Sequence, residues 1–361
     1  MDVFVCAGCG TELTAPVSRV ALPVHTHYGA WEELHPPLME PATYAVDPLP
    51  TGPPWRLWED VGEDVAAEQG VYAPVYAVSF GARNRIVIAP GDSRSMTLIL
   101  EKCEGYCRGV DGRAGPNLAC AGCGRPVATR VDDCGSWQTV WLEPAAVVRR
   151  SSGLPTGPPP GWNDLKRVPP VEADGSWSRR WEAALGVMLA HLVAATEAHP
   201  VTLPSGPVSE LFGHAVGRCL SPGSEARSVR PGGGPAGGLA VRPTVGLAVG
   251  LAGPGISTAR PRPEVLLVPR HPLTGAPWRP SGDEGAVVPL DSGVWAYLAH
   301  PDDETSPVPA TGVVPQGVLR DDYPLPPHPW RPLLPHRDAF RHTLVRLPAV
   351  RGPGLSRFRA R

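Results

Sequence analysis

The sequence that decides the fold is Cys6-Ala7-Gly8-Cys9-Gly10, which recurs as Cys120-Ala121-Gly122-Cys123-Gly124. In both copies an apolar residue stands at the third and at the seventh position after the last glycine. A two-residue spacer folds the chain into a knuckle that turns both sulfurs towards one ion, and the closing glycine accepts a positive φ. Two knuckles supply four thiolates, the tetrahedral set of a structural zinc site. The repeat therefore predicts one Zn²⁺ bound by Cys6, Cys9, Cys120 and Cys123.

The two knuckles and the strand-like residues after them, about 3–17 and 118–131, resemble the zinc-ribbon family. The resemblance implies a β-rich ribbon with the four cysteines as ligands. Such a closed site leaves no position for water or substrate, so Lewis-acid chemistry is not expected. The sequence departs from the family in its spacing, because 110 residues lie between Cys9 and Cys120. The run from Cys107 to Cys134 also resembles a recurrent bacterial family, which adds no mechanism, and an arginine-rich, lysine-poor composition is typical of a high-GC genome.

Two other ligand sets remain open at the level of sequence. Cys103 and Cys107 lie close in sequence to Cys120 and Cys123, and these four residues could close a compact site without the first knuckle. Alternatively, Cys6 and Cys9 could bind metal together with His25 and His27, which leaves the second knuckle for a separate site. We expect Cys134 and Cys219 to be small buried apolar residues rather than ligands.

Thiol chemistry is the main alternative to metal binding at the knuckles. The N-terminus shows neither a basic segment nor an apolar segment of a secretory signal, so we predict a cytoplasmic protein with reduced thiols. A thiol oxidoreductase needs a cysteine whose pKa is lowered, usually at a helix N-terminus. Both knuckles are followed by strand-like residues instead, so the pattern favours metal ligands over redox cysteines.

Composition and charge indicate two unequal parts and a basic end. The 361 residues include 47 prolines and 41 glycines, and the formal net charge is −2, which excludes a globally basic nucleic-acid binder. We predict an α+β protein with a β-rich, zinc-ribbon-like N-terminal domain and a mixed, Pro/Gly-rich C-terminal domain. The expected bounds are 1–150 for the first domain, 151–161 for a linker, 162–350 for the second domain with a low-complexity insertion at 223–263, and 351–361 for a basic tail.

Local patterns predict the main elements of both domains. Short β-rich runs bounded by turns predict strands near residues 3–5, 17–24, 85–88, 97–100, 138–142, 264–268 and 286–290. Helical spacing of apolar residues predicts helices over 177–198 and 206–220, which we expect to form a helical hairpin. Shorter helices are expected over 292–299 and 338–347.

One run of residues near the C-terminus resembles a catalytic motif. The run His300-Pro301-Asp302-Asp303-Glu304 is similar to a motif of zinc-dependent N-acetylglucosamine deacetylases. The resemblance implies zinc ligation by His300 and Asp303, with Asp302 as the base. In that family the motif ends the first strand of an α/β fold, whereas here it follows a short predicted helix near the chain end. A solvated acidic loop is therefore the favoured interpretation, and we assign no catalytic residue.

The partners that the sequence suggests are a protein and, through the arginine-rich end, a nucleic acid. Residues 330–361 hold eight arginines and one acid, net +7, which could contact phosphates, an acidic partner, or the acidic stretch 32–68 of the same chain. The most apolar stretch, 239–256, contains Arg242 and Pro243, so no membrane partner is expected. The favoured function is a non-catalytic interaction or regulatory module with a structural zinc; a metal-dependent hydrolase or a thiol oxidoreductase is the alternative.

Overall fold

The computed structural model describes most of the chain. It covers residues 1–28, 35–105, 110–155, 157–172, 175–220, 246–256, 261–280, 285–300, 329 and 331–359.

The N-terminal part is β-rich, as the sequence predicted. Its strands are β1 (Asp2–Cys6), β2 (Ser18–Arg19), β3 (Thr43–Asp47), β4 (Trp55–Leu57), β5 (Ala77–Ser79), β6 (Arg85–Ile88), β7 (Met96–Leu98), β8 (Leu118–Cys120), β9 (Pro126–Val131), β10 (Thr139–Leu142) and β11 (Val147–Ser151). Two short helices, α1 (Trp58–Val61) and α2 (Glu63–Glu68), follow β4.

Most of these strands form one seven-stranded sheet in the order β2-β3-β6-β10-β9-β8-β7. The inner strand β6 is buried on both faces: Ile86 and Ile88 belong to one apolar cluster, and Val87 belongs to another. This alternation is the two-residue period of a strand. Strands β1 and β11 form an antiparallel ribbon, and Phe4 of β1 meets Tyr44 of the sheet edge-on with ring centroids 5.1 Å apart. The ribbon thereby packs on the face that holds Ile86 and Ile88.

The C-terminal part combines a parallel sheet with helices. It contains α3 (Arg179–Ala195), β12 (Val201–Thr202), α4 (Pro207–Leu220), β13 (Leu247–Leu251), β14 (Val265–Pro269), β15 (Ala286–Leu290), α5 (Ser292–Ala299) and α6 (Arg337–Val345). The four strands are parallel and lie in the order β12-β13-β14-β15. Because β14 is buried along its whole length, it reads as the uninterrupted apolar run Val265-Leu266-Leu267-Val268.

Helix α3 is the centre of the C-terminal core. It packs on β15 and on α6, and Trp181 and Leu185 are fully buried. The approach to α6 depends on Gly186, where an added Cβ would lie 2.7 Å from the carbonyl oxygen of His336. The two helices of the predicted hairpin both form and share one core, with 6.0 Å between the rings of Trp181 and Phe212. Strand β12 lies between them in the chain and joins the parallel sheet.

The N-terminal and C-terminal parts pack against each other. The N–H of Ala21 donates to the carbonyl of Pro272 at 2.8 Å, and the N–H of Tyr72 donates to the carbonyl of Val345 at 2.7 Å. Tyr28 is buried among Ala183 and other small residues of α3 and α6. These contacts bring the loop after β14 and the end of helix α6 onto loops of the β-rich part.

Two C-terminal segments are more ordered than their composition indicated. The stretch 223–263 reads as low complexity, yet residues 247–251 form β13, which pairs with the short strand β12 on one side and with the buried strand β14 on the other. Beyond α6, residues 353–358 form a 3₁₀ turn with Leu355 buried in the α3 core. The domain bounds and the linker at 151–161 stay predictions.

Candidate metal centre

Each knuckle follows the end of a strand and has the same backbone turn. Cys6 is the last residue of β1, and Cys120 is the last residue of β8. The N–H of Gly10 donates to the Cys6 carbonyl at 2.9 Å, and the N–H of Gly124 donates to the Cys120 carbonyl at 2.8 Å. Both glycines have a positive φ, 79° and 73°, as the sequence predicted. The repeat in sequence is therefore a repeat in conformation.

The fold brings the two knuckles together. The four cysteine sulfurs lie within 4.8 Å of one another. Two of the distances cross between the knuckles: Cys6 Sγ to Cys123 Sγ is 3.6 Å, and Cys9 Sγ to Cys120 Sγ is 3.6 Å. A zinc ion with Zn–S bonds of about 2.3 Å separates tetrahedral sulfurs by about 3.8 Å. The cluster thus has the dimensions that a tetrahedral thiolate site requires, and these four cysteines could hold a metal ion.

The small residues between the cysteines explain how the knuckles approach so closely. A Cβ added to Gly122 would lie 2.4 Å from Thr11 Oγ1 and 3.3 Å from Cys9 Sγ. A Cβ added to Gly8 would lie 3.7 Å from Cys123 Sγ. Each spacer glycine therefore faces a sulfur of the opposite knuckle, and a larger residue at position 122 would push the two knuckles apart.

The segment 143–147 holds both knuckles in place. The N–H of Ala7 donates to the Ala146 carbonyl at 2.9 Å, and Arg125 Nη2 donates to the Ala145 carbonyl at 3.3 Å. Cys6 and Cys120 belong to the apolar cluster between the ribbon and the sheet, whereas Cys9 and Cys123 are exposed. One cysteine of each knuckle is thus anchored in the core, and the other closes the site from the solvent side.

The thiols influence one another's protonation. A hydrogen bond with the Thr11 hydroxyl lowers the pKa of Cys9 to about 6. The pKa of the Cys6 thiol is lowered overall. Burial alone would raise it, but hydrogen bonds from the N–H groups of Gly8 and Cys9 stabilise the thiolate and outweigh the effect of burial. The Arg125 N–H favours the thiolate of Cys123, yet the nearby Cys9 and Cys6 raise its pKa to about 11. A bound divalent cation would offset half of the negative charge of four adjacent thiolates and would thereby favour their deprotonation.

The other candidate ligands lie elsewhere or outside the described residues. The partly buried Cys103 has its Sγ 3.4 Å from the Ile99 carbonyl oxygen and is not part of the cluster. Cys107 lies outside the described residues. His25 packs on Trp137 with ring centroids 4.6 Å apart, and His27 Nε2 contacts Asp47 Oδ2 at 2.8 Å, so neither faces the knuckles.

The remaining motifs from the sequence are only partly described. His300 ends the described segment and its ring lies edge-on to Trp295 at 6.0 Å, while Asp302 and Asp303 lie outside the described residues. Among the C-terminal arginines, Arg357 and Arg359 donate to backbone carbonyls of Cys219 and Val350. Arg351 donates to the Glu63 carbonyl, within the acidic stretch that the sequence offered as an internal partner.

Sequence reasoning missed one further group of residues. A cavity between the two parts is lined by Arg85, Arg270 and Arg346, which come from distant segments and share no local motif.

In the segments that the structure describes, no helix has the length and apolar character needed to cross a lipid bilayer.

Comparison of the chain with protein-family models, with curated proteins and with solved structures finds no match.

Proposed function

We propose that Cys6, Cys9, Cys120 and Cys123 bind one structural Zn²⁺, and that the protein is a non-catalytic interaction or regulatory module built around that site. The observation that carries the proposal is the cluster of four sulfurs within 4.8 Å, drawn from two identical knuckles. Thiolate-only tetrahedral sites are typical of zinc, and four protein ligands leave no position for substrate.

The site has a clear structural purpose in this chain. It joins the end of β1 to the β8–β9 turn across 110 intervening residues. Because the four-thiolate site exists only in the folded chain, the free energy of zinc binding adds to the stability of the fold. The zinc would thus stabilise the packing of the β1–β11 ribbon on the seven-stranded sheet, and the proposed role in binding a partner would rest on that stable framework.

Metal analysis of three proteins tests the proposal. The wild type, Cys6→Ser and Cys103→Ser are purified without added metal or chelator, and zinc is measured by plasma mass spectrometry. We expect about one zinc per chain in the wild type and in Cys103→Ser, and far less in Cys6→Ser. Loss of zinc in Cys103→Ser, with zinc retained in Cys6→Ser, would favour the compact site of Cys103, Cys107, Cys120 and Cys123. A wild type without metal and with easily oxidised thiols would favour the oxidoreductase alternative.

A further inference from the structure

Two neighbouring chambers lie between the two parts of the molecule. They share Thr26, His27, Tyr28, His342 and Arg346. The first chamber, of about 450 Å³, is bounded by Arg85 and tryptophans of the β-rich part. The second, of about 580 Å³, is bounded by Arg270 and His191 of the C-terminal part and by Asp47 of the β-rich part; we call it the arginine chamber. Its size is within the range of small-molecule sites in proteins.

Arg270 occupies the position in the parallel sheet where ligands commonly bind. It directly follows β14, an inner strand, and therefore lies at the carboxyl edge of the sheet. In open parallel sheets the crevice at this edge is the usual ligand site. Thr274 and Gly275 of the loop after Arg270 also line the chamber.

Two partly buried arginines of this chamber form no ion pair with any of the described residues. Within the described residues, Arg270 Nε and Arg346 Nη1 are inaccessible to solvent and have no hydrogen-bond partner. Burial lowers the pKa of both side chains, with Asp291 as the main opposing charge for Arg270 and Asp47 for Arg346. Asp291 is itself occupied as the cap of α5, where it accepts the Gly293 N–H at 2.9 Å. A buried guanidinium keeps its positive charge, so burying it without a partner lowers the stability of the fold. An anion that binds beside the guanidinium would offset this loss.

The neighbours of Arg346 leave part of its guanidinium available. Arg346 Nε donates to His342 Nε2 at 3.1 Å, so this ring nitrogen is the acceptor. His342 Nδ1 then carries the proton and donates to Tyr28 Oη at 3.0 Å. Burial keeps the pKa of His342 well below its ordinary value, which agrees with a neutral ring. Histidine and tyrosine thus hold Arg346 in place without neutralising it.

The charge of the arginine chamber suits a dianion. Among the described residues, its lining includes Arg19, Arg270 and Arg346 against the single acid Asp47, a formal excess of +2 when the histidines are neutral. Asp47 already accepts from His27 at 2.8 Å and from the Leu49 N–H at 2.9 Å. A phosphate monoester carries nearly two negative charges near pH 7 and matches the guanidinium fork.

We propose that the arginine chamber binds a phosphate-bearing small molecule, with its phosphate held by Arg270 and Arg346. Because Arg270 belongs to the C-terminal part and Arg19 and His27 of the β-rich part line the same chamber, the bound molecule would bridge the two parts. Binding would then favour the packed arrangement over one in which the parts separate. This inference does not depend on the zinc site.

Calorimetric titration and thermal unfolding of the full-length, metal-containing protein in phosphate-free buffer test the inference. The probes are inorganic phosphate, a ribonucleoside 5′-monophosphate and, as a dianion without phosphorus, succinate. We expect saturable binding and a rise in Tm with at least one of the two phosphates. Binding should weaken by about tenfold or more in Arg270→Gln and in Arg346→Gln, because each loses a charge-assisted hydrogen bond. Arg149→Gln is the matched control, since Arg149 is an exposed arginine of the ribbon.

The unliganded variants provide a second readout. Removing a buried, unpaired charge should leave Tm unchanged or raise it in Arg270→Gln, so loss of binding can be separated from loss of folding. Equal affinities in the wild type and both cavity variants would overturn the proposal. So would binding of succinate alone, or no binding by any probe.

Discussion

Replacing both solvent-facing cysteines is the sharpest perturbation of the proposed zinc site. Cys9 and Cys123 are exposed, whereas Cys6 and Cys120 are part of the apolar core. The double variant Cys9→Ser/Cys123→Ser therefore removes one ligand from each knuckle with little loss of packing. Two thiolates are not enough for a closed structural site, so we expect the variant to lose its zinc.

The expected loss of stability follows from binding linkage, because zinc binds the clustered thiolates of the folded chain far more tightly than the dispersed cysteines of the unfolded chain. Free zinc at about 1,000 times its Kd stabilises the folded state by about 4.1 kcal/mol, and loss of the site removes that stabilisation. In a protein of this size that corresponds to a decrease in Tm on the order of 10 °C.

Thermal unfolding with and without a zinc chelator measures this effect. The chelator should lower the Tm of the wild type by a similar amount and should leave the double variant unchanged. Cys103→Ser is the control, because Cys103 lies outside the sulfur cluster and should keep both zinc and Tm. A double variant that unfolds like the wild type, or that still responds to the chelator, would refute the reasoning.

Three further predictions concern the core and the cavity. Glu143→Ala removes the carboxylate that lies 2.6 Å from the buried Arg85 guanidinium. We expect urea unfolding to show that the free energy of unfolding decreases by about 3 kcal/mol. An unchanged urea midpoint would contradict this. Gly186→Ala places a Cβ against α6 and should lower the free energy of unfolding by about 1–3 kcal/mol. Gly217→Ala is the matched control in α4: a Cβ there would have no neighbouring atom within 4 Å, so this variant should raise the free energy of unfolding by about 0.5–1 kcal/mol. Equal effects of the two substitutions would argue against the α3–α6 contact. Burial, and then Arg270, lower the pKa of His191 from 6.5 to about 4. Below pH 6.5 the unfolded chain binds a proton that the folded chain does not, so stability should fall by about 3 kcal/mol by pH 4. The decrease in stability between pH 6.5 and pH 4 should be smaller in His191→Gln than in the wild type. Identical pH profiles of the two proteins would contradict this prediction.

The local features of this fold could be predicted from sequence because each has a local physical cause. The knuckle turn depends on glycine at positions 10 and 124, and both have the predicted positive φ. Helix α3 follows from the spacing of Trp181, Leu185 and their neighbours, and it forms over 179–195 within the predicted 177–198. The buried run of β14 is likewise visible as continuous apolar sequence.

The long-range features have no such local signal. Strand β13 reads as a loop, because glycine and alanine give it little strand propensity, and only its neighbours β12 and β14 make it a strand. The clustered sulfurs were predicted because their motif is repeated, but the partner of each knuckle had to be chosen among several cysteines. The cavity arginines at 270 and 346 carry no motif at all, and tertiary packing alone places both of them beside Tyr28.

X-ray absorption at the zinc edge of the purified protein tests the proposed four-cysteine ligand set. It reports the kind, number and distance of the atoms around the metal without any substitution. We expect four sulfur neighbours at about 2.3 Å in a tetrahedral arrangement. Nitrogen or oxygen neighbours at about 2.0–2.1 Å, in place of one or more sulfurs, would contradict the assignment of Cys6, Cys9, Cys120 and Cys123 as the complete ligand set.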